Sequence, residues 1–235
     1  MTRDRESEST AVALLTVGDE LLAGQTENTN ATWLASRLRE RGATVRRIVV
    51  VPDELDEIAA TLRELARDHD AVIVTGGLGP THDDVTMEAV ARAFERELVE
   101  HPDALEWVER ESEYTTADLV DGTTRLPAGA DFLPNPAGVA PGAHLEGVYV
   151  LPGVPVEMQA MFELIAPTFD GPKSTTTVLT SERPESSIAD VLEAASRQFD
   201  VRVGSYPNDV VTIRIQGADE DEVAAAAAWL DERIN

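Results

Sequence analysis

The chain has 235 residues, 43% of them hydrophobic, with 44 acidic against 19 basic side chains and a formal net charge of −25. That is enough apolar content for a core, which excludes a disordered chain, and the absence of any basic run excludes non-specific binding to nucleic acid or an anionic membrane. With no cysteine, a disulfide framework, a zinc–thiolate site and a thiol nucleophile are excluded as well.

Among the basic residues only Lys173 is a lysine, while Asp and Glu abound. This composition resembles that of proteins from salt-accumulating halophiles, whose dense surface carboxylates keep them soluble in concentrated electrolyte. The polar start MTRDRESEST lacks an apolar signal core, and no apolar run approaches the ~20 residues of a membrane span. The expectation is a cytoplasmic protein with a disordered N-terminus over residues 1–10.

The first apolar run, AVALLTV at 11–17, suits a central strand and leads into the loop GDELLAGQTENTN. Ala31, Leu34, Ala35 and Leu38 then recur at helical spacing up to the stop at Gly42. ATVRRIVVV is a β-branched strand ended by Pro52-Asp53, and Leu55, Ile58, Ala59, Leu62, Leu65 and Ala66 mark the next helix. Ala71 to Val74 read as a buried strand running into Thr75-Gly76-Gly77-Leu78-Gly79-Pro80 and a helix starting near Asp84. His101-Pro102 opens a helical stretch that carries Trp107, and residues 119–147, rich in Gly and Pro, suit a hairpin excursion. VYVLPG at 148–153 returns to the sheet, and Met158, Met161, Phe162 and Ile165 close the unit. The β-α-β-α-β-α order argues for an α/β fold whose mostly parallel sheet carries helices on both faces. Beyond a linker at Asp170 to Lys173, the order βαββα over 174–235 suggests a small α+β module of ferredoxin-like type lacking a final strand.

Four loops follow predicted strands of the large domain: Gly18-Asp19-Glu20, Pro52-Asp53, Gly76 to Asp84, and Pro152-Gly153. Parallel strands would bring all four to one edge of the sheet, where α/β proteins bind their ligands. Gly76, Gly77 and Gly79 can offer backbone amides to a phosphate, since glycine allows close approach. No Gly-Lys-Ser/Thr follows, and the third glycine of the dinucleotide fingerprint is missing. Thr81 or Asp83 could cap the helix, its acids favouring the positive end. Asp83 and Asp84 beside an anion are better balanced by a divalent cation, which is commonly held by one or two carboxylates plus substrate phosphates. Asp19, Glu20 and Asp53 are either solvated surface or part of the same site. His82 could be a base or a ribose contact, and Tyr206 could stack on a ring; both residue types also occur in such places without function.

TVGDELLAGQTENTNATWLASRL, VVVPDELDEI, TGGLGPTHDDVTMEAV and NPAGVAPG…VYVLPGVPVEMQAMF, in that order, resemble the molybdopterin-binding-like domain of the competence/damage-inducible protein A family over about residues 11–169. The resemblance implies a three-layer α/β fold with the ligand at the glycine loop. Leu78 stands where the molybdenum-cofactor branch has Thr or Ser. In the branch this chain resembles, a metal-dependent pyrophosphatase acting on ADP-ribose or related dinucleotides has been attributed, and a similar domain occurs in eukaryotic FAD synthases. By motif, Asp84 matches the family's key aspartate, Asp53 its partner, and Gly76, Gly77 and Gly79 the ligand loop. The implied ligand set is Gly18, Asp19, Glu20, Gly76, Gly77, Leu78, Gly79, Thr81, Pro152 and Gly153, with Asp53, Asp83 and Asp84 on a divalent metal (Mg, Mn or Co). Bacterial members often continue into an amidase domain; residues 170–235 are too short and wrongly patterned for one. The alternatives are a non-catalytic molybdopterin- or nucleotide-binding module and a structural oligomer. The expected partner is a small phosphate-bearing molecule, with homo-oligomerisation implied by the resemblance.

Overall fold

The computed structural model describes residues 9–111 and 122–235. The expectation for residues 1–10 therefore lies, up to residue 8, outside the described residues, as does that for 119–121. The chain divides after Gly171 into two compact units.

In the first unit, β1 (Ala11–Val17) is followed by α1 (Asp19–Leu22), α2 (Thr29–Arg41), β2 (Thr44–Val51), α3 (Leu55–Asp68), β3 (Ala71–Thr75) and α4 (Thr86–Ala93). Then come β4 (Leu98–Glu100), α5 (Pro102–Glu111), β5 (Arg125–Pro127), β6 (Asp131–Leu133), β7 (Gly142–Leu145), β8 (Val148–Leu151) and α6 (Pro155–Ile165). The main sheet has the order β2-β1-β3-β8-β7-β6. Its β2-β1-β3-β8 part is parallel, whereas the excursion returns as the antiparallel pair β7 and β6 and separately pairs β4 with β5.

Strand periodicity assigns the two faces. Ala13, Leu15 and Val17 of β1 and Val72 and Val74 of β3 pack against Ile58, Ala59, Leu62 and Leu65 of α3 and Ala89 and Val90 of α4. Val12, Leu14, Ala71 and Ile73 face the other way, onto Leu34 and Leu38 of α2 and Met158, Met161 and Phe162 of α6. Both faces of the central strands are thus dry, which is why they read as unbroken apolar runs. The result is the three-layer, mostly parallel α/β architecture expected from the sequence.

Helix termini follow local chemistry. Asn28 caps α2, its side-chain oxygen accepting from the Ala31 amide at 3.0 Å, and Gly42 ends it in the left-handed conformation at φ 94°. Two departures from expectation concern the site. GDELLAGQTENTN is not all loop, since Asp19–Leu22 forms one helical turn. The helix after the glycine loop begins at Thr86 behind Val85, with no side-chain cap, so neither Thr81 nor Asp83 caps it.

The second unit contains β9 (Thr175–Ser181), α7 (Glu185–Gln198), β10 (Arg202–Pro207), β11 (Val211–Gly217) and α8 (Glu220–Ile234). Its antiparallel sheet runs β10-β11-β9. Ile213 and Ile215 of β11 are buried with Ile188 and Leu192 of α7 and Val223, Ala226 and Leu230 of α8. Among the described residues no helix is long and apolar enough to cross a membrane.

Candidate functional site

The parallel strands deliver all four predicted loops to one edge, and hydrogen bonds tie them together. The Gly18 amide donates to the Val51 carbonyl at 3.1 Å and the Gly76 amide to the Leu151 carbonyl at 3.2 Å. The Asp19 amide donates to Asp53 Oδ2 at 2.9 Å, and Asn30 Nδ2 to the Gly153 carbonyl at 2.7 Å. Loops after β1, β2, β3 and β8 therefore form one surface.

The glycine loop has the tightest steric demands. Gly76 adopts φ +99°, and a Cβ there would lie 2.3 Å from the Val17 carbonyl oxygen. Gly77 adopts φ +64°, with its Cβ position 2.2 Å from Thr86 Oγ1. Side-chain residues rarely adopt such backbone conformations, so both positions require glycine. The buried Thr86 hydroxyl donates to the Gly76 carbonyl at 2.9 Å, and the Thr86 amide donates to the Gly77 carbonyl at 3.2 Å. One residue thus fixes both glycines.

Asp84 turns inward on this loop. Its Oδ1 accepts from the Gly79 amide at 2.7 Å, and its Oδ2 accepts from the Thr81 amide at 2.9 Å and from the Thr81 hydroxyl. The amides of Gly76 and Gly79, expected to face an anion, are thus engaged within the protein. Among the described residues the amides of Gly77 and Leu78 take no protein acceptor, which leaves both as free donors within the glycine turn. A cleft of about 200 Å³ lies beside them, bounded by Asp84, Thr81, Ala140, Pro141 and Arg125. The buried Asn135 holds its far wall, donating to the Ala140 carbonyl at 3.0 Å and to Glu157 Oε2 at 2.7 Å.

Asp53 sits at the end of β2. Burial pushes its carboxyl above the usual range, and the charges of Asp19, Glu20 and Asp83 act in the same direction, against the stabilising Asp19 amide. Asp83 is held below the usual range by the nearby Thr81 hydroxyl, whose proton Asp84 also attracts, and by its own backbone amide. His82 is fully exposed, its nearest charged partner Asp83 at 3.8 Å. Tyr206 lies in the second unit, 48% exposed with the Arg214 guanidinium 5.1 Å from its ring centre. Of the acids singled out in the sequence, the structure groups Asp19, Glu20, Asp53 and Asp83 electrostatically and sets Asp84 against its own loop.

Three contributors went unrecognised in the sequence: Thr86, Asn28 and Asn30. Asn28 Nδ2 donates to Thr16 Oγ1 at 3.1 Å, and Asn30 reaches the β8–α6 bend. The available signal was polarity at the first turn of an apolar helix, which ordinarily marks only a cap.

Residues 13–171 match the family model described as a probable molybdopterin binding domain, and residues 173–235 match that of the FAD synthase middle domain. A protein of Archaeoglobus fulgidus is 38% identical over 224 residues, covering 94% of this chain and 97% of its own. The CinA-like protein of Citrifermentans bemidjiense is 37% identical over 240 residues, covering 95% of this chain and 58% of that longer protein. The crystal structure of the protein CinA, of unknown function, from Thermoplasma acidophilum superposes with a TM-score of 0.63 at 36% identity, over 68% of this chain and 98% of that one.

Proposed function

The chain belongs to the molybdopterin-binding-like family that includes the CinA proteins, and from that membership we propose a metal-dependent pyrophosphatase that cleaves ADP-ribose or a related nucleoside diphosphate derivative. The observation that carries this reading is the meeting of two chemistries at one sheet edge. Asp53, bonded to the loop after β1 and repelled by Asp19, Glu20 and Asp83, shares that edge with the Gly77 and Leu78 amides.

Among the described residues no group of three Asp, Glu or His side chains is placed to hold a metal ion, so a cation at this edge would have to take one or two carboxylates from the chain and its remaining ligands from substrate phosphates and water. Asp53 and Asp83 would hold it, with Asp84 bracing the loop behind them. When bound, such an ion polarises a phosphoryl oxygen and acidifies a water.

The remaining work belongs to the chain. The Gly77 and Leu78 amides orient the phosphates and stabilise charge on the departing one. The Asp19 amide fixes the direction of the Asp53 carboxylate, and the Asp84 bonds keep the amides from turning away. One water is consumed and one P–O–P bond broken, so ADP-ribose yields AMP and ribose 5-phosphate.

The test is to incubate the protein at high salt with ADP-ribose, FAD and NAD, with and without Mg²⁺, Mn²⁺ or Co²⁺, and to quantify AMP. The expected result is metal-dependent AMP that falls at least a hundredfold in Asp53→Asn; silence across the panel sinks the enzyme reading. The inward bonds of Asp84 favour a second reading, a non-catalytic pterin or nucleotide binder, because the carboxylate that matches the family's key aspartate is committed to its own loop. A fluorescent pterin co-purifying with the protein would support that alternative.

A further inference from the structure

A second cleft, of about 120 Å³, opens at the same sheet edge between the end of β1, the loop from α1 into α2, and the β8–α6 bend. We propose that it is a separate subsite that takes the uncharged, hydrogen-bond-donating part of the ligand, a sugar hydroxyl or a ring amino group, and reads it with Asn30 Oδ1.

Asn30 is 9% exposed. Its Nδ2 donates to the Gly153 carbonyl at 2.7 Å, and since a carbonyl can only accept, the opposite atom of the amide is the oxygen. That oxygen is buried and, among the described residues, has no hydrogen-bond partner. A buried acceptor left unpaired is unfavourable, and this one cannot turn to find a partner without breaking its bond to Gly153. Its backbone is fixed too, in the first turn of a helix capped by Asn28.

The rest of the lining agrees. Glu20, Glu27, Thr26 and Asn28 surround the cleft, and among the described residues no Lys, Arg or His contributes to it. Such a wall repels phosphate and accepts hydrogen bonds from neutral donors. The volume is below the ~300 Å³ of pockets that enclose a whole ligand, so the cleft suits one part of a larger molecule. Gly76 lines this cleft, whereas Gly77 and Leu78 line the other. The glycine loop is thus a divider, with an anion-reading side and a donor-reading side.

Choosing a nucleotide as the probe rests on the pyrophosphatase reading. Binding of AMP, 2′-deoxy-AMP and purine riboside 5′-monophosphate to the full chain is measured by calorimetry in concentrated KCl. AMP is expected to bind, and removal of either the 2′-hydroxyl or the 6-amino group to weaken binding at least tenfold, which identifies the donor. Asn30→Ala is expected to erase that difference while inorganic phosphate binds as before. The proposal is overturned if AMP does not bind, if all three bind the wild type alike, or if Asn30→Ala still discriminates. Should Asn30→Ala fail to fold, Asn30→Ser, whose shorter side chain cannot place an acceptor at the same point, is measured in its stead and is likewise expected to lose the discrimination. A chain that hydrolyses ADP-ribose yet binds the three probes alike loses only the subsite; one that discriminates without hydrolysing keeps it and loses the enzyme reading.

Discussion

Asp53 is placed where a carboxylate is least comfortable. It is half-buried and hears Asp19, Glu20 and Asp83, all of its own sign, with a single backbone amide to offset them. Because its pKa in the folded protein lies above the unfolded value, the folded state holds its proton more tightly. The resulting cost is absent below the ordinary carboxylate range and develops as pH rises through it. With a chelator present, Asp53→Asn is therefore expected to raise the thermal midpoint at pH 7, and the gain should shrink to nothing as pH is lowered past the unfolded carboxylate pKa. The asparagine oxygen still accepts from the Asp19 amide, so the comparison isolates charge. A variant that is less stable at pH 7 would show that the carboxylate serves the fold rather than a ligand.

At the scale of the element, the glycine loop is held by α4 more than by its own turns. Thr86 is wholly buried and ties the carbonyls of Gly76 and Gly77 to the helix start. Replacing it with the near-isosteric valine leaves the Gly76 carbonyl without that donor, so Thr86→Val should lower the denaturant-derived stability by about 1–3 kcal/mol. An unchanged stability would mean that the loop is set by Asp84 alone. This arrangement also explains what could be read in advance. The strands were legible because dry faces demand unbroken apolar runs, and the loop because two backbone positions there exclude a side chain. The role of Asp84 was not, since a carboxylate that bonds the Gly79 and Thr81 amides has the same sequence signature as one that caps a helix or holds a metal. Asn30 was hidden for another reason: its partner Gly153 lies 123 residues away, and no local pattern reports such a pairing.

Over the whole molecule, an excess of acid opposes a modest set of ion pairs. Arg37 to Glu163 at 2.8 Å and Arg41 to Asp170 at 3.2 Å tie α2 to α6 and the chain beyond it, and Arg47–Glu64 and Arg92–Asp56 pair at 2.6 Å. Their side chains are 30–81% exposed, so each is worth at most about 1 kcal/mol. Against them stands a net charge of −25, whose repulsion acts over many pairs beyond contact. The screening length is about 10 Å at 0.1 M salt and about 3 Å at 1 M. Raising salt therefore removes the long-range repulsion first and the contact pairs last. The thermal midpoint, followed by circular dichroism, should climb between 0.1 M and 3 M KCl, with loss of folded structure at the low end. A flat or falling curve would separate the acidity from salt adaptation. The surface carboxylates would then have to be explained by something that binds them, and the cluster around Asp53 would be the first place to look.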